Sequence, residues 1–282
     1  MFPKGYSPLD DFGEGAIAKV IKAVDEKTND IVAVKILKDI TDAEDVARLS
    51  IEMESISLVR HPNIVSFLKH GKCPNGSPFV VMEWLKGVTL RDLLEEVYVL
   101  EELEIVEIVL QVLDAIVACH KKGVIHRDLK PENVMLVGPD EKQVKLIDFG
   151  MAKLLYDGIN LTIDGQLFGT PQYLAPERIT GESPTTKTDI YSLGIMVYEM
   201  ATGDRPFDGE SPQEIIMQHI TANSETIPSM LSNVDISYKL KYLIKRMLRK
   251  QPEPRPTAEI LRQEFRSHRQ ELVKKGRTGD AS

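Results

Sequence analysis

The sequence predicts an α+β fold made of two lobes, a small strand-rich lobe followed by a larger and mostly helical one. Residues 19–24 and 31–37 are rich in β-branched side chains and flank a polar turn, which predicts two antiparallel strands. Later in the chain the pattern changes. Apolar side chains recur at three- and four-residue spacing over residues 105–117, with acidic residues on the other face, which is typical of a core-facing helix.

One helix and two further strands complete the first lobe. Residues 41–44 read Thr-Asp-Ala-Glu, the spacing of a capping box, and predict a helix that runs towards residue 59. Strands are predicted over residues 64–70 and 79–84, joined by a turn that contains an Asn-Gly pair. This lobe of antiparallel strands plus one helix should cover about residues 6–85.

Helices dominate the second lobe, which should cover about residues 88–265. Segments 187–202 and 239–249 have the same apolar spacing as the first predicted helix, and a shorter helix is predicted over residues 214–220. The remaining residues, 266–282, are basic. We expect them to be a frayed, solvated end or the start of a linker, with a partner-binding patch as the alternative.

Composition argues against several classes of protein. The net charge of −8 disfavours a general binder of nucleic acids or membrane surfaces, which is normally basic. Two cysteines, Cys73 and Cys119, cannot build a disulfide framework or a four-ligand zinc site, and they fit a reducing compartment. The sequence shows no membrane-spanning run and no secretory signal. We therefore expect a cytoplasmic protein, or the cytoplasmic domain of a longer membrane-anchored one.

Two short runs carry the chemistry. Residues 126–133 read His-Arg-Asp-Leu-Lys-Pro-Glu-Asn, and residues 148–150 read Asp-Phe-Gly. The aspartate and lysine of the first run can serve a hydroxyl nucleophile and a transferring phosphoryl group. Asn133 and Asp148 offer the hard oxygen ligands that suit Mg²⁺. Eight specified residues followed at the right distance by three more are too specific to be a chance match.

On these runs the chain resembles the eukaryotic-type serine/threonine protein kinases, and residues 201–212 look most like bacterial members of that family. The resemblance implies a kinase domain over residues 1–265 that uses ATP and Mg²⁺, with Mn²⁺ as an alternative metal. In such an enzyme Asp128 is the base that orients or deprotonates the acceptor hydroxyl. Lys130 neutralises charge on the γ-phosphoryl group, and Thr170 bonds to both and helps to place the acceptor.

A glycine-rich loop near the start should cover the phosphates. Gly13 and Gly15 resemble the loop glycines of kinases, where the missing side chain lets backbone N–H groups approach the phosphates. The third glycine of the family pattern is Ala18 here, and this departure can stiffen the loop or change the affinity for nucleotide. The loop precedes an apolar run that ends in Lys35, which strengthens the assignment.

The resemblance implies that Lys35 grips the α- and β-phosphates and pairs with a glutamate on the following helix. We expect that partner to be Glu52, which stands where the family places it relative to the later His-Pro-Asn run. Glu54 is the competing candidate, but it is two residues along a helix and therefore on a different face.

The connector between the lobes should recognise adenine. The resemblance implies that backbone groups of Glu83 and Leu85 read the edge of the base and that Met82 controls the deeper pocket. Each of the remaining pocket residues could equally be part of an ordinary core. The residues expected to sandwich the base are Val20, Ala33 and Met135.

Arg127 implies regulation by phosphorylation. In the family an arginine before the catalytic aspartate marks enzymes whose activation segment becomes ordered when a phosphate joins a basic cluster, which Lys153 could share. The hydroxyl candidates in this segment are Tyr156, Thr162 and Thr170. We expect autophosphorylation at Thr162, because it lies in the middle of the segment and Thr170 already has a role in substrate placement.

Other matching residues are expected to be structural. Glu177 should be buried and paired with Arg255, and Asp189 should anchor the backbone of the catalytic loop. An apolar stack should join the two lobes, and its members are Ile56, Phe67, His126 and Phe149.

The resemblance implies an active serine/threonine protein kinase whose substrates are proteins and include a second copy of itself. The alternative from another class is a pseudokinase scaffold, which the full set of catalytic residues disfavours. A small-molecule phosphotransferase is a third reading, disfavoured by Lys130 and by the Ala-Pro-Glu run at residues 175–177. Glu132 and Glu199 stand where some kinases bind basic peptides, but the sequence does not identify the substrate.

Overall fold

The first lobe is built on a five-stranded antiparallel sheet with strand order β1-β2-β3-β5-β4. The structure is a computed structural model, which describes residues 2–15, 18–38, 40, 42–150, 162–163, 166–167, 171–222 and 226–279. The strands are β1 (Tyr6–Glu14), β2 (Ala18–Asp25), β3 (Ile31–Leu37), β4 (Phe67–Lys72) and β5 (Pro78–Glu83). Of these, β2 and β3 contain the strands predicted from the sequence, and β5 lies one residue before the strand predicted over residues 79–84.

The two remaining strands differ from the prediction for identifiable reasons. Strand β1 was not predicted, because register shifts near Pro8 and Asp11 break the alternation of its side chains. Strand β4 begins at Phe67 and not at residue 64. Residues 64 and 65 pair elsewhere. Ile64 forms an isolated bridge with Leu146, and the N–H of Val65 donates to the Leu146 carbonyl at 2.9 Å.

The single helix of this lobe, α1 (Ala43–Ser57), is capped one residue later than the sequence pattern suggested. Asp42 is the N-cap, and its carboxylate accepts hydrogen bonds from the backbone N–H groups of Glu44 at 2.8 Å and Asp45 at 3.2 Å. A carboxylate is favoured at this position because it also faces the positive end of the helix dipole. The position of the helix was therefore predicted correctly and its cap was not.

The second lobe is mostly helical, with a small three-stranded sheet of order β6-β7-β8 beside the catalytic loop. Two short helices of the 3₁₀ type span Pro131–Asn133 and Pro171–Tyr173. The strands and helices are β6 (Gly87–Thr89), α2 (Leu90–Val97), α3 (Glu102–His120), β7 (Val134–Val137), β8 (Gln143–Leu146), β9 (Thr162–Ile163), β10 (Gln166–Leu167), α4 (Pro176–Ile179), α5 (Thr186–Thr202), α6 (Pro212–Thr221), α7 (Thr226–Met230), α8 (Tyr238–Met247) and α9 (Ala258–Gly279).

Helix α5 lies at the centre of this lobe, and every residue from 188 to 201 is buried. A side chain at Gly194 would place its Cβ atom 2.8 Å from the Cβ atom of Met247, so the close packing of α5 on α8 requires glycine. One cluster of buried apolar side chains runs from Leu37 in the first lobe to Phe265 in α9, which joins the lobes through a shared core. None of the helices in the described ranges is long and apolar enough to cross a membrane.

Helix α9 corrects the expectation of a frayed basic tail. The helix continues to residue 279 and packs along α3. Arg262 and Arg266 contact Asp114 at 3.2 and 3.1 Å, and Arg269 contacts Glu107 at 2.7 Å. Of the basic residues that suggested a solvated end, Arg266 and Arg269 are therefore matched by acidic residues of α3.

A buried ion pair ties α4 to the loop before α9. Arg255 donates to both carboxylate oxygens of Glu177 at 2.8 Å, and the two side chains are 0% and 2% exposed. Burial alone would raise the pKa of Glu177, but the hydrogen bonds and charge of Arg255 lower it overall. The guanidinium also lies 4.8 Å from the ring centre of Tyr191. The predicted pairing of Glu177 with Arg255 is confirmed.

Replacement of Arg255 should destabilise the fold strongly. Arg255→Leu leaves the Glu177 carboxylate buried without its cation, which is expected to lower the free energy of unfolding by about 3–5 kcal/mol in urea denaturation. The double variant with Glu177→Leu should recover much of this loss. Arg266→Leu is the control, since its ion pair is half exposed and should contribute less than about 1 kcal/mol. Equal losses for Arg255→Leu and Arg266→Leu would contradict the argument.

Acid should destabilise the protein partly through His219. This side chain is 1% exposed, its Nδ1 lies 2.8 Å from the Tyr191 hydroxyl, and burial lowers its pKa to about 4. An unfolded histidine binds its proton near pH 6.5, so the unfolded state gains protons first as the pH falls. His219 should therefore reduce the free energy of unfolding by about 1.4 kcal/mol per pH unit between roughly pH 6.5 and 4.

His219→Gln removes this titration, so its unfolding free energy should fall less steeply than that of the wild type when urea melts are compared at pH 7 and 5. The control is His70→Gln, because His70 is exposed. If the unfolding free energy of His219→Gln fell as steeply between pH 7 and 5 as that of the wild type, the fold would not be holding the histidine neutral.

Candidate active site

The catalytic loop lies between α3 and β7 and brings three of the predicted site residues together. The side-chain amide of Asn133 donates to the backbone carbonyl of Asp128 at 2.7 Å and to its Oδ2 at 3.0 Å. The ammonium group of Lys130 lies 3.4 Å from the same oxygen. The Asp128 carboxylate is therefore held in one orientation by an amide and a cation, while its side chain stays 19% exposed.

This loop depends on Asp189, which is 1% exposed at the start of α5. Its Oδ1 accepts from the N–H of Arg127 at 2.9 Å, and its Oδ2 accepts from the N–H of His126 at 3.0 Å and lies 2.8 Å from His120 Nε2. Burial alone would raise the pKa of Asp189, but these hydrogen bonds lower it overall. Arg127 has φ of 67°, an uncommon value for a side chain of this size. The predicted anchoring role of Asp189 is confirmed.

The Asp-Phe-Gly run follows β8 and lies directly against this loop. The N–H of Gly150 donates to the His126 carbonyl at 2.9 Å, and a Cβ atom at Gly150 would lie 3.3 Å from the Cβ atoms of both Arg127 and Asp128. Asp148 has φ of 55°, a second left-handed backbone in the same site. Strain of this kind persists only where surrounding bonds hold it, and it is common at functional sites.

The donor set suits a hard cation. Both described hydrogen bonds of the Asn133 side chain use its amide nitrogen. Its backbone carbonyl accepts from the N–H of Ile147 at 3.0 Å, which brings the residue before Asp148 next to Asn133. Within the described ranges no group of three His, Cys, Asp or Glu residues could hold a metal by itself. A metal at Asn133 and Asp148 would therefore need oxygen ligands from a substrate, as Mg²⁺ commonly takes from phosphates.

The structure corrects the predicted pairing of Lys35 with Glu52. Lys35 on β3 instead contacts Asp148 Oδ1 at 2.6 Å, and Glu52 on α1 contacts Arg127 at 3.1 Å. Both pairs are partly buried, and the exposure of the four side chains ranges from 13% to 30%. Each charge thus has an opposite partner, and Arg127 competes with Lys35 for Glu52. The expected competitor, Glu54, is exposed.

A stack of aromatic rings joins the catalytic loop to the Asp-Phe-Gly run and to β4. The Phe149 ring lies 5.9 Å from the ring of Phe67 and 4.6 Å from that of His126, and Ile56 is 1% exposed in the same core cluster. Burial lowers the pKa of His126, which keeps the imidazole neutral, and its Nε2 lies 3.1 Å from the Ile147 carbonyl. The prediction that these residues pack together is confirmed, and the absence of an acid or base role for His126 stays a prediction.

Most of the predicted adenine-site residues share one apolar cluster beneath the β1–β2 hairpin. Ala33 and Met82 are directly paired across β3 and β5, and Val20 and Leu85 pack against them. Met135 is half-buried on β7 and lies outside this cluster. Sequence reasoning did not place Val65 and Ile147 in this cluster, although each lies next to a recognised run. Two further members are Trp84 of the connector and Phe67, which was assigned to the stack between the lobes.

The side chain of Glu83 has a structural role. It accepts from Lys145 at 2.6 Å and from the N–H of Ser66 at 2.7 Å. Burial raises the pKa of Glu83, but these two partners lower it further than burial raises it. Its backbone N–H also donates to the Ser66 carbonyl at 3.0 Å, and contact of its backbone with a ligand stays a prediction.

The glycine-rich segment forms the turn of the β1–β2 hairpin. The N–H of Gly15 donates to the Ala18 carbonyl at 2.9 Å, and Gly13 is paired with Val20. A Cβ atom at Gly13 would meet no atom within 4 Å, so glycine is not required there by the fold itself. Its lack of a side chain is better explained by close approach of a ligand.

Part of the predicted regulatory set lies outside the described residues. These residues are Lys153, Tyr156 and Thr170. The backbone of Thr162 belongs to β9, where it pairs with Leu167 of β10, but its side chain is not described.

A sequence model of the protein kinase domain matches residues 6–265. The chain belongs to the protein kinase family. It is similar to the serine/threonine-protein kinase pkn3 of Myxococcus xanthus, with 36% identity over 264 residues, which cover 90% of this chain and 48% of that protein. It is also similar to PknB of Mycobacterium leprae, with 34% identity over 255 residues, 89% of this chain and 40% of that protein.

A solved structure supports the same conclusion for the fold. The crystal structure of Rad53 1-466 in complex with AMP-PNP matches with a TM-score of 0.75 and 30% identity, covering 91% of this chain and 63% of that one. The two-lobed α+β kinase fold and the resemblance to bacterial serine/threonine kinases are thus confirmed. The kinase domain described here spans about half the length of the Myxococcus protein and less of the Mycobacterium protein.

Glu52→Gln distinguishes a catalytic role for this residue from a purely structural one. If Glu52 leaves Arg127 and pairs with Lys35 when nucleotide binds, loss of its charge should lower kcat/KM for ATP-dependent phosphorylation by about tenfold to a hundredfold. The matched control is Glu54→Gln on the exposed face of the same helix, which should leave kcat/KM within about twofold of the wild type. Equal values of kcat/KM for the two variants would remove Glu52 from the catalytic set.

Proposed function

We propose that this chain transfers the γ-phosphoryl group of ATP to serine and threonine hydroxyls of proteins, with Mg²⁺ as the metal. The observation that carries the proposal is two sets of direct contacts, Lys35 with Asp148 and Asp128 with Lys130 and Asn133, which meet where Gly150 packs against Asp128. The Rad53 structure that resembles this chain contains AMP-PNP, an ATP analogue, which supports the choice of nucleotide.

Asp128 acts on the acceptor. Its carboxylate, oriented by the Asn133 amide, accepts the hydroxyl proton as the oxygen attacks phosphorus, and Lys130 balances the negative charge that moves onto the transferring group. Lys35 binds the phosphates of the nucleotide, and the apolar cluster around Ala33 binds the adenine. Asn133 and Asp148 would hold Mg²⁺, which would neutralise part of the phosphate charge.

Activation follows from the ion pairs of the described conformation. Arg127 binds Glu52 at 3.1 Å, so Glu52 is not at Lys35. A phosphate on Thr162 carries nearly two negative charges and offers Arg127 a stronger partner than one carboxylate. Glu52 is then free to pair with Lys35. Autophosphorylation at Thr162, in trans on a second copy, would switch the enzyme on by this exchange.

The setting of the enzyme is part of the same proposal. Residues 6–265 form the catalytic domain of what is a longer protein in the relatives, and its substrates are proteins with Ser or Thr acceptors, with no role for nucleic acid. A cytoplasmic location fits the two free cysteines, which are both buried and reduced.

Phosphopeptide mass spectrometry of the purified protein, incubated with Mg²⁺ and ATP, tests the proposal. Wild type should incorporate phosphate at Thr162, and Asp128→Asn should incorporate at least about 10²-fold less at every site, because it lacks the base. Thr162→Ala should keep only the low activity of the unphosphorylated enzyme.

Each result separates the parts of the proposal. Phosphate on other serines or threonines but not on Thr162 would keep the kinase and discard the switch. Nucleotide binding without incorporation into the protein or into generic protein substrates would instead support the pseudokinase scaffold. Equal incorporation in wild type and Asp128→Asn would show that Asp128 is not the base.

A further inference from the structure

A single arginine on α2 joins the two glutamates that stand closest to the catalytic loop. The guanidinium of Arg91 donates from Nε to Glu132 at 3.2 Å and from Nη1 and Nη2 to the two oxygens of Glu199 at 3.0 and 3.4 Å. Its Nη2 also donates to the Tyr173 hydroxyl at 2.6 Å, and that hydroxyl in turn donates to Glu199. One side chain thus connects the catalytic loop, α5 and the segment before α4.

The two glutamates differ in their burial. Glu199 is 3% exposed in α5 and has a second cation nearby, since Arg205 Nε lies 3.9 Å away. Glu132 lies on the catalytic loop between Lys130 and Asn133, and its side chain is 41% exposed. Burial alone would lower the pKa of Arg91, but its hydrogen bond to Glu199 and the charges of Glu199 and Glu132 raise it overall, so the guanidinium is always charged.

The cluster is close to Asp128, because Glu132 lies between Lys130 and Asn133, whose side chains contact Asp128 at 3.4 and 3.0 Å. Glu132 is four residues along the catalytic loop from Asp128, and Tyr173 follows Thr170, the residue proposed to place the acceptor. An extended peptide advances about 3.3 Å per residue. Side chains two or three residues from a hydroxyl held at Asp128 are therefore within reach of Glu132.

A purely structural role explains the contact of Arg91 with Glu199 but not its contact with Glu132. The bidentate bond to buried Glu199 anchors α2 to α5, because a buried carboxylate needs a partner. The bond from Arg91 to half-exposed Glu132 adds little to the free energy of unfolding, since exposed ion pairs contribute about 0–1 kcal/mol. The bond has a larger effect on what Glu132 can bind, because Arg91 already balances the negative charge of Glu132.

We propose that Arg91 occupies, from within the chain, the acidic site that a basic substrate residue would otherwise take, so that Arg91 determines specificity against arginine and lysine near the acceptor. The inference rests on the proposed kinase function and deepens it by naming the substrate class. The substrates of this kinase carry neutral or acidic residues at the position that faces Glu132.

Pairs of peptides that differ at one position provide the test. A neutral Ser/Thr peptide is compared with versions that carry arginine at each of the five positions on either side of the acceptor, and kcat/KM is measured for each. In wild type the ratio of arginine to neutral peptide should be near or below one at every position. In Arg91→Gln the ratio should rise at least about tenfold at one position, because a charge-assisted hydrogen bond to Glu132 becomes available.

Two further variants make the result specific. Arg91→Gln/Glu132→Gln should lose the acquired preference, whereas Arg48→Gln, which removes an exposed ion pair with Asp45, should keep the wild-type ratios. Glu132→Gln alone tests the idea even if Arg91→Gln fails to fold. It should leave the arginine ratio within about threefold of wild type, since the charge of Glu132 is already compensated.

The outcomes separate this inference from the proposed function. A folded Arg91→Gln with wild-type ratios, or a wild type that prefers arginine and loses that preference in Glu132→Gln, would overturn the inference and leave the kinase intact. A wild type that phosphorylates none of the peptides or protein substrates would refute the proposed function, and the inference with it.

Discussion

The catalytic site depends on one buried carboxylate. Asp189 is almost fully enclosed at the start of α5, and its two oxygens accept hydrogen bonds from the backbone of His126 and Arg127. Those two N–H groups belong to a loop whose backbone at Arg127 is in the left-handed region. Without the hydrogen bonds to Asp189, the strained backbone at Arg127 would relax to a more favourable conformation. The position of Asp128, two residues from the first of these bonds, follows from that anchor.

Above this anchor the site contains four charges that can be paired in two ways. In the described conformation Lys35 pairs with Asp148 and Arg127 pairs with Glu52. A new anion near either cation changes the balance, because neither pair is fully buried and each carboxylate can find another partner. Under the proposed function, a nucleotide phosphate would act on Lys35 and a phosphate on the activation segment would act on Arg127. Both would favour the same rearrangement, which explains how two ligands of the same chemistry could cooperate.

Sequence reasoning succeeded where a residue acts within a short motif and failed where distant charges compete. The run from His126 to Asn133 was recognised because its residues are consecutive in the sequence, and in the structure Asp128, Lys130 and Asn133 do lie in contact. The partner of Glu52 could not be predicted, because the competitor Arg127 approaches α1 only in the folded chain. The same reason explains α9, whose basic residues looked solvated until Asp114 and Glu107 of α3 were found opposite them. Arg91 was overlooked because its two partners come from separate parts of the second lobe.

The absence of a side chain at Gly150 has a mechanical consequence. Since the backbone of Gly150 rests against the Cβ atoms of Arg127 and Asp128, no compressible side chain separates the metal-binding run from the catalytic loop. A packed contact of this kind transmits displacement directly. Any shift that carries Asp148 away from its position must either break the hydrogen bond from Gly150 to His126 or move the base along with it. The proposed metal ligand Asp148 and the proposed base Asp128 are thus mechanically coupled, because a backbone shift at Gly150 would displace both.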